Sequence, residues 1–465
     1  MSTGPETTGD LMKRAAALLT CIVLASGLSA CTSGGGTDGT GSASSTPTDS
    51  GNASPSGSAG SAGASASSGS ASASGSAGAS GGSASGSSAT GSDPSASGSA
   101  SGDSGVEAAD ATIASMLAMV PTSIAGDPAT DTGVMINLYW KAAAAGGLTV
   151  PDDPTDADAQ AQYAMDLTSR TDKHLGVAGT DLLQQLGSPV SSAGQPIALS
   201  DVAADVQAGQ PPHVAVAARG NFDTSAIDTA FRNNTDWKDE LTTPDYHGHT
   251  FYRWMDDLKM DVTKRYTGLF TDLGQSRRIA LPDASTFLYS RDDATMHALL
   301  DAGDDSASVS LAGDDEHLAV ATALDEHDVY SALIIGQQLL APLVTSSNLS
   351  PEQAKKVIAV MREHALKPYL LAGIGETLVG GSPRTVIVLA NADADAAEAN
   401  AEALRGLITD GQSMQSQRPW SDFFGIDSVS TDGSLTIGVL TLTDPARVTA
   451  WYQAVMNRDT LLAAG

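Results

Sequence analysis

The sequence predicts an α+β protein, a helix-rich lead-in followed by two related β-α-β-β-α units of the split βαβ kind with antiparallel or mixed sheets. Three observations carry this expectation. The hydrophobic period changes from helical to alternating at Pro212. The same order of elements returns in the second half of the chain. And Asp432-Gly433 stands between two strand-like runs as a short-range hairpin signal, because both central positions of a type I′ turn require positive φ.

Helical spacing of apolar residues marks Val106 to Met119, Gly133 to Ala145 ending at Gly146-Gly147, Asp156 to Leu175, Thr180 to Leu186, and Ser200 to Ala208 with Ser200 as its N-cap. From His213 the pattern reads strand (213–221), helix (224–232), strands at 250–254 and 286–290, and helix (292–302). The second pass reads strand (385–391), helix (395–408), strands at 426–431 and 435–443, and helix (445–457). Both passes close on a Ser or Thr, an aspartate and a helix, as Ser290-Arg291-Asp292 and Thr443-Asp444-Pro445. Between them Ser350-Pro351-Glu352-Gln353 is a capping box opening a helix to His364. Residues 329–338 fit strand or helix, and 369–379 fits a strand pairing with 385–391.

At the other end of the chain, Lys13 and Arg14 precede the apolar run Ala15 to Ala25 and then Leu28-Ser29-Ala30-Cys31. This order of charge, apolar run, small residues and cysteine resembles the signal peptide of bacterial lipoproteins. The resemblance covers Met12 to Cys31 and implies cleavage behind Ala30, a diacylglycerol thioether on Cys31 and a palmitate-type acyl chain on its new N-terminus. Two acyl signals anchor stably where one binds marginally. The residues ahead of Met12 are atypical of a signal peptide, so both Met1 and Met12 stand as candidate starts. The few lysines, abundant Ala, Asp and Gly, and a long small-residue tether resemble uncharacterised surface lipoproteins of actinobacteria. The implied location is the outer face of the cell membrane.

The domain plan follows: 1–31 signal peptide with lipidated Cys31, 32–103 tether, 104–210 helix-rich segment, 211–312 first α/β unit, 313–465 second. Residues 32–103 are nearly all Gly, Ser, Ala and Thr, with no Val, Ile, Leu, Met or aromatic side chain, so they are expected to be disordered and of low complexity. A flexible tether of that length has an r.m.s. span of roughly 45–50 Å. Formal net charge is −30 overall and −26 from residue 104 onward, which disfavours nucleic acid as partner and makes the lipid, not a basic face, the expected membrane contact. The two cysteines, Cys21 and Cys31, leave the mature chain one lipidated cysteine and no internal disulfide.

Few residues suggest chemistry. Asp245-Tyr246-His247-Gly248-His249 would place both imidazoles on one side of an extended segment with Asp245 near by, a weak metal candidate lacking a third ligand at recognisable spacing. Asn391, Asp393, Asp395 and Glu402 fall on calcium-loop positions, but Ala396 stands where such a loop needs glycine, so these acids read as helix caps. Trp420, Phe423 and Phe424 form an aromatic cluster in a loop setting and are the candidate contact surface. Gly373-Ile374-Gly375 lacks the third glycine of a dinucleotide fingerprint, and from residue 104 onward there is no GxxxxGK, HExxH or GxSxG. The leading expectation is a non-enzymatic binding or scaffolding module whose protein or small-molecule partner is unidentified. The alternatives are a solute-binding lipoprotein of an import system, which requires two parallel-stranded lobes, and a metal-dependent extracellular hydrolase.

Overall fold

The computed structural model describes residues 110–125, 133–168, 174–187, 196–235, 238–264, 274–337, 365–464 and the single positions 352, 355 and 359. Ser104–Gly465 forms one compact unit. Its centre is a 13-stranded sheet: β1 (Val134–Leu138), β2 (Val202–Gln210), β3 (His213–Gly220), β4 (Leu241–Thr242), β5 (Asp245–Tyr246), β6 (His249–Trp254), β7 (Arg277–Asp283), β8 (Thr286–Ser290), β9 (Ser331–Gly336), β10 (Leu371–Val379), β11 (Ser382–Ala390), β12 (Phe424–Asp432) and β13 (Leu435–Leu442). The order is β12-β13-β11-β10-β9-β1-β2-β3-β8-β7-β6-β4, with β5 on β6, and every pairing between these strands is antiparallel.

The expected α+β class holds, and the repeat is longer than the sequence pattern indicated. Read outward from the centre, β1-β2-β3-β8-β7 and β9-β10-β11-β13-β12 have the same design: three antiparallel strands, a helix, then a hairpin whose second strand pairs with the third, with β4, β5 and β6 inserted between helix and hairpin in the first copy. The two copies join edge to edge through β1 and β9, Asn137 opposite Ser331. The strand expected over 369–379 is β10 and pairs with β11 as expected, whereas β1 was not read as a strand and β9 was left between strand and helix, for a physical reason. β1 and β9 are buried on both faces, so Val-Met-Ile-Asn-Leu and Ser-Ala-Leu-Ile-Ile-Gly show no alternation.

Helices cover both faces. They are α1 (Ile113–Leu117), α2 (Tyr139–Gly146), α3 (Ala157–Leu167), α4 (Asp181–Leu186), α5 (Thr224–Asn233), α6 (Asp293–Asp304), α7 (Asp315–Glu326), α8 (Ala394–Asp410) and α9 (Ala450–Met456), with single turns between. On one face Met116 and Leu117 of α1, Leu299 and Leu300 of α6 and Val320 and Leu324 of α7 pack on Ile136, Val206, Ala217, Ile334 and Val388. On the other, α2 to α5 bury Tyr163, Leu183 and Phe231 against Val216, Ala218 and Phe287. There α8 and α9 bury Leu404, Leu407 and Trp451 against Ile374, Ile387 and Leu440. The closing helices of the two copies differ: α6 lies on the first face and α9 on the second.

Several element expectations are corrected. Residues 200–208 are not a helix: Ser200 sits in a 3-10 turn, and Val202, Ala204, Val206 and Ala208 form β2, whose period of two is masked by its alanine content. The helix expected from Gly133 begins only at Tyr139, after strand β1. That expected over 156–175 stops at Leu167, and of the one expected over 106–119 the described part, 110–119, holds only α1 as α-helix. At the 432–435 turn the register Asp432 to Leu435 centres Gly433-Ser434, with positive φ at Gly433 (54°), one residue later than Asp432-Gly433. The capping-box helix at 350–364 falls almost wholly outside the described residues. Gly373-Ile374-Gly375 is strand sequence of β10, and a Cβ at Gly373 would lie 2.5 Å from Val320 of α7.

Candidate functional site

The fold brings its polar chemistry together inside the sheet. Asp205 on β2 lies opposite Asn137 on β1, Asn137 opposite Ser331 on β9, and Ser331 opposite Glu376 on β10, so four polar side chains form one row across four central strands. Asn137, Asp205, Ser331 and Glu376 are all 0% exposed. Thr385 of β11 continues the row opposite Glu376.

Above the row runs an extended strap, residues 176–180, whose alternate residues bond downward. The Gly176 N–H donates to the Tyr330 hydroxyl at 3.4 Å. Ala178 donates its N–H to Ser331 Oγ at 3.0 Å, and its carbonyl accepts from Asn137 Nδ2 at 3.0 Å. The Thr180 hydroxyl donates to Asp205 Oδ2 at 2.5 Å while also capping α4 by accepting from the Leu183 N–H. Within the row Asn137 Nδ2 donates to Asp205 Oδ1 at 3.0 Å and Ser331 Oγ donates to Asn137 Oδ1 at 2.8 Å. At the far end Tyr330 donates to Glu376 Oε1 at 2.6 Å and the Trp451 indole donates to Oε2 at 3.2 Å.

Two carboxyls therefore sit in the interior with hydrogen-bond donors instead of cations. Burial pushes Glu376 up to about 8, opposed by the Tyr330, Trp451 and Gly176 hydrogen bonds. Burial likewise pushes Asp205 up to about 6, opposed by bonds from Thr180, Asn137 and Tyr139. Burial also drives the Tyr330 phenol well above its ordinary value, with the adjacent Glu376 adding to it. Burial thus favours the uncharged form of Glu376, against the donors on both of its oxygens.

The residues singled out from sequence are placed elsewhere. His247-Gly248 is the two-residue turn of the β5–β6 hairpin, with φ of 53° and 91°, so His247 and His249 do not lie along one extended side. Each meets its own carboxylate on α6: His247 Nδ1 is 3.5 Å from Asp301 and His249 Nε2 3.0 Å from Asp304. Tyr246 stacks between His247 and His297, with ring centroids at 4.1 and 3.8 Å, while Asp245 caps the turn by accepting from the Gly248 N–H. Among the described residues no group of three or more His, Cys, Asp or Glu is arranged to hold a metal. Trp420 and Phe424 are core residues, and Trp420 donates to Thr460 at 3.0 Å. Phe423 is half-buried beneath the guanidinium groups of Arg418 and Arg447. Asp393 caps α8 and Asn391 bonds to Asn400, so no calcium loop forms there. Cys31 lies outside the described residues.

Asn137, Asp205, Ser331 and Glu376 escaped the sequence reading because no motif spacing links them. Their one signal is a single polar residue inside an otherwise apolar strand, as in Val134-Met-Ile-Asn-Leu and Leu371-Ala-Gly-Ile-Gly-Glu.

No family model matches the chain, and no curated protein matches it. Among solved structures, crystal form I of TP0453 is similar with a TM-score of 0.31 at 9% identity, covering 73% of this chain and 96% of that one. Crystal form III gives 0.30 at 10% identity over 72% and 97%, and crystal form IV gives 0.31 at 9% over 72% and 95%.

Proposed function

We propose that this chain is an exported, lipid-anchored protein whose folded part acts as a binding or scaffolding module and not as an enzyme. The observation that carries the reading is Leu28-Ser29-Ala30-Cys31 behind Lys13, Arg14 and an apolar run, followed by a tether of small residues. Cys31 is the residue that receives the lipid, and the tether holds residues 104–465 away from the bilayer. The non-enzymatic part rests on the row: both oxygens of Asp205 and both of Glu376 already accept from the protein's own donors. An acid engaged in this way serves the fold rather than a substrate.

The two alternatives fit less well. An import-type binding protein needs two parallel-stranded lobes flanking a cleft, whereas both copies here share one antiparallel sheet. A metal-dependent hydrolase needs convergent ligands, and His247 and His249 each pair with a different aspartate.

The test is expression in a bacterial host fed an alkyne analogue of palmitate, followed by detergent-phase partition. The chain with Cys31 is expected to carry label and enter the detergent phase, and Cys31→Ser to lose both. An unlabelled, water-soluble chain with Cys31 intact overturns the anchor.

A further inference from the structure

We propose that the outer edge of β12 joins two molecules of this chain, edge to edge and antiparallel, into one continuous sheet. This deepens the scaffolding reading, on which it rests, by naming the partner as a second molecule of the same chain. Its failure is read at β12 and that of the anchor at Cys31, so the two are separate results.

The internal repeat shows how such an edge is used. β7 and β12 are equivalent strands, the outermost of the five in their copies. On the outer edge of β7 the chain lays β6, antiparallel, with Phe251 opposite Ala280 and Trp254 opposite Arg277. Among the described residues β12 pairs with β13 alone, so the matching position beside it is open. The join between the copies is also a pairing of equivalent edges, since β1 and β9 each begin a copy and run antiparallel. A β12 paired antiparallel with β12 of a second molecule repeats that geometry about a twofold axis.

The β12–β13 turn fixes which backbone groups face outward. Its two residues are Gly433 and Ser434, so Asp432 and Leu435 exchange ladder bonds and the pattern alternates from there. Ser430 bonds to Ile437, while Val429 and Thr431, opposite Gly438 and Thr436, direct their N–H and C=O groups away from β13. Of these groups the Val429 carbonyl accepts from Arg405 Nη2 and keeps a second lone pair, and the others meet no partner among the described residues. Such a row is a template for another strand. The features that blunt an edge stand at one end: the bulge between Ile426 and Ser428, and the charge of Asp427, which pairs with Arg384. From Ser428 to Asp432 the strand is regular, carries no proline or lysine, and is exposed apart from half-buried Val429.

That stretch is complementary to itself. With Ser430 on the twofold axis, each Val429 lies opposite Thr431 of the other molecule and each Ser428 opposite Asp432. This register uses every outward N–H and C=O of Val429 and Thr431 in both molecules. The β-branched pairs fall on one face, a favourable cross-strand combination, and no two like charges meet. A foreign strand would find the same backbone groups without this symmetry. The net charge of −30 opposes the approach of any two molecules, so the join is expected to strengthen with salt.

Sedimentation equilibrium of the chain from residue 31 onward, with Cys31→Ser, keeps the tether and the fold and leaves out the lipid and the apolar run. The expected result is a monomer–dimer equilibrium that tightens between about 0.05 and 0.5 M salt. Thr431→Pro deletes an N–H that the β13 ladder does not use, so the fold should stand while the dimer weakens on the order of 10–10²-fold, the loss being doubled by symmetry. Ser430→Cys gives an independent reading, because it is then the one cysteine of that chain. It faces itself across the axis at a Cα separation of about 4.5 Å and should form an intermolecular disulfide on mild oxidation. A chain that stays monomeric at about 0.5 mM overturns the proposal. A dimer indifferent to Thr431→Pro, or a Ser430→Cys chain that forms no disulfide, places any association elsewhere and equally overturns it.

Discussion

Gly176 shows how narrowly a single residue is specified when it lies over a buried acid. Its missing Cβ would stand 2.4 Å from Glu376 Oε2 and 3.1 Å from the Val448 Cβ, so Gly176→Ala must displace the acid or the C-terminal segment. Overpacking of this kind costs about 2 kcal/mol, measurable as a lower urea midpoint at unchanged m-value. Thr180→Val makes the complementary deletion: shape is nearly kept, but Asp205 Oδ2 loses its donor and α4 its cap. We expect a loss of about 2 kcal/mol or more by the same measurement, since a buried acceptor left without a partner bears its full desolvation cost. His247→Ala sets the contrast. The ring is 67% exposed and its partner Asp301 41%, so the change should stay within about 0.5 kcal/mol, and chelator should not alter the midpoint of either protein. Loss of several degrees on chelation would instead revive a metal at this hairpin. The place of Gly176 was not legible in the sequence, because the acid it lies against is 200 residues away; for Thr180 the cap was legible, but the buried Asp205 that its hydroxyl meets was not.

At the scale of elements, local signals were read well and long-range ones poorly. Asp156, Thr180 and Asp393 each cap the helix that follows them, and Asp444 accepts from the Ala446 N–H at the turn opening the C-terminal segment. These are short-range hydrogen bonds whose geometry is written in adjacent residues. β2 was missed since its alternation runs through alanine, which carries little hydrophobic contrast and favours helix in isolation. The sheet prevails because β1 and β3 satisfy its backbone on both sides. Asp325, at the head of the acidic run 325–328, accepts from the Ile113 and Ala114 N–H groups at 2.8 and 2.9 Å and so holds the start of α1 from more than two hundred residues away. Asp325→Ala should therefore cost about 1–2 kcal/mol and raise exchange first in the amides of α1. Uniform exchange with no local change there would deny Asp325 that role.

For the whole molecule the charge distribution sets how stability must vary with pH. Glu376 is raised to about 8 and Asp205 to about 6, both by burial, so the folded chain retains protons that the unfolded chain has released. Stability from such groups is complete below the unfolded values of about 4.5 and 3.8 and is lost as pH rises through the folded ones. Glu376 alone gives a slope of up to about 1.4 kcal/mol per pH unit between 4.5 and 8, and Asp205 adds to it below 6. Carboxylates such as Asp283 and Asp314, held below their usual range by local hydrogen bonds, act oppositely and withdraw stability as pH falls beneath about 3.8. A maximum near pH 4–5 is therefore expected in urea unfolding followed from pH 3 to 9. The net charge of −30 predicts a decline toward alkaline pH as well, by self-repulsion, and salt separates the two causes. In about 1 M salt, where the Debye length is about 3 Å, repulsion between surface charges fades while the cost of ionising an enclosed acid does not. A slope between pH 6 and 8 that survives high salt and disappears in Glu376→Gln belongs to the buried row; one that salt removes belongs to the surface, and the row would then be a silent structural element.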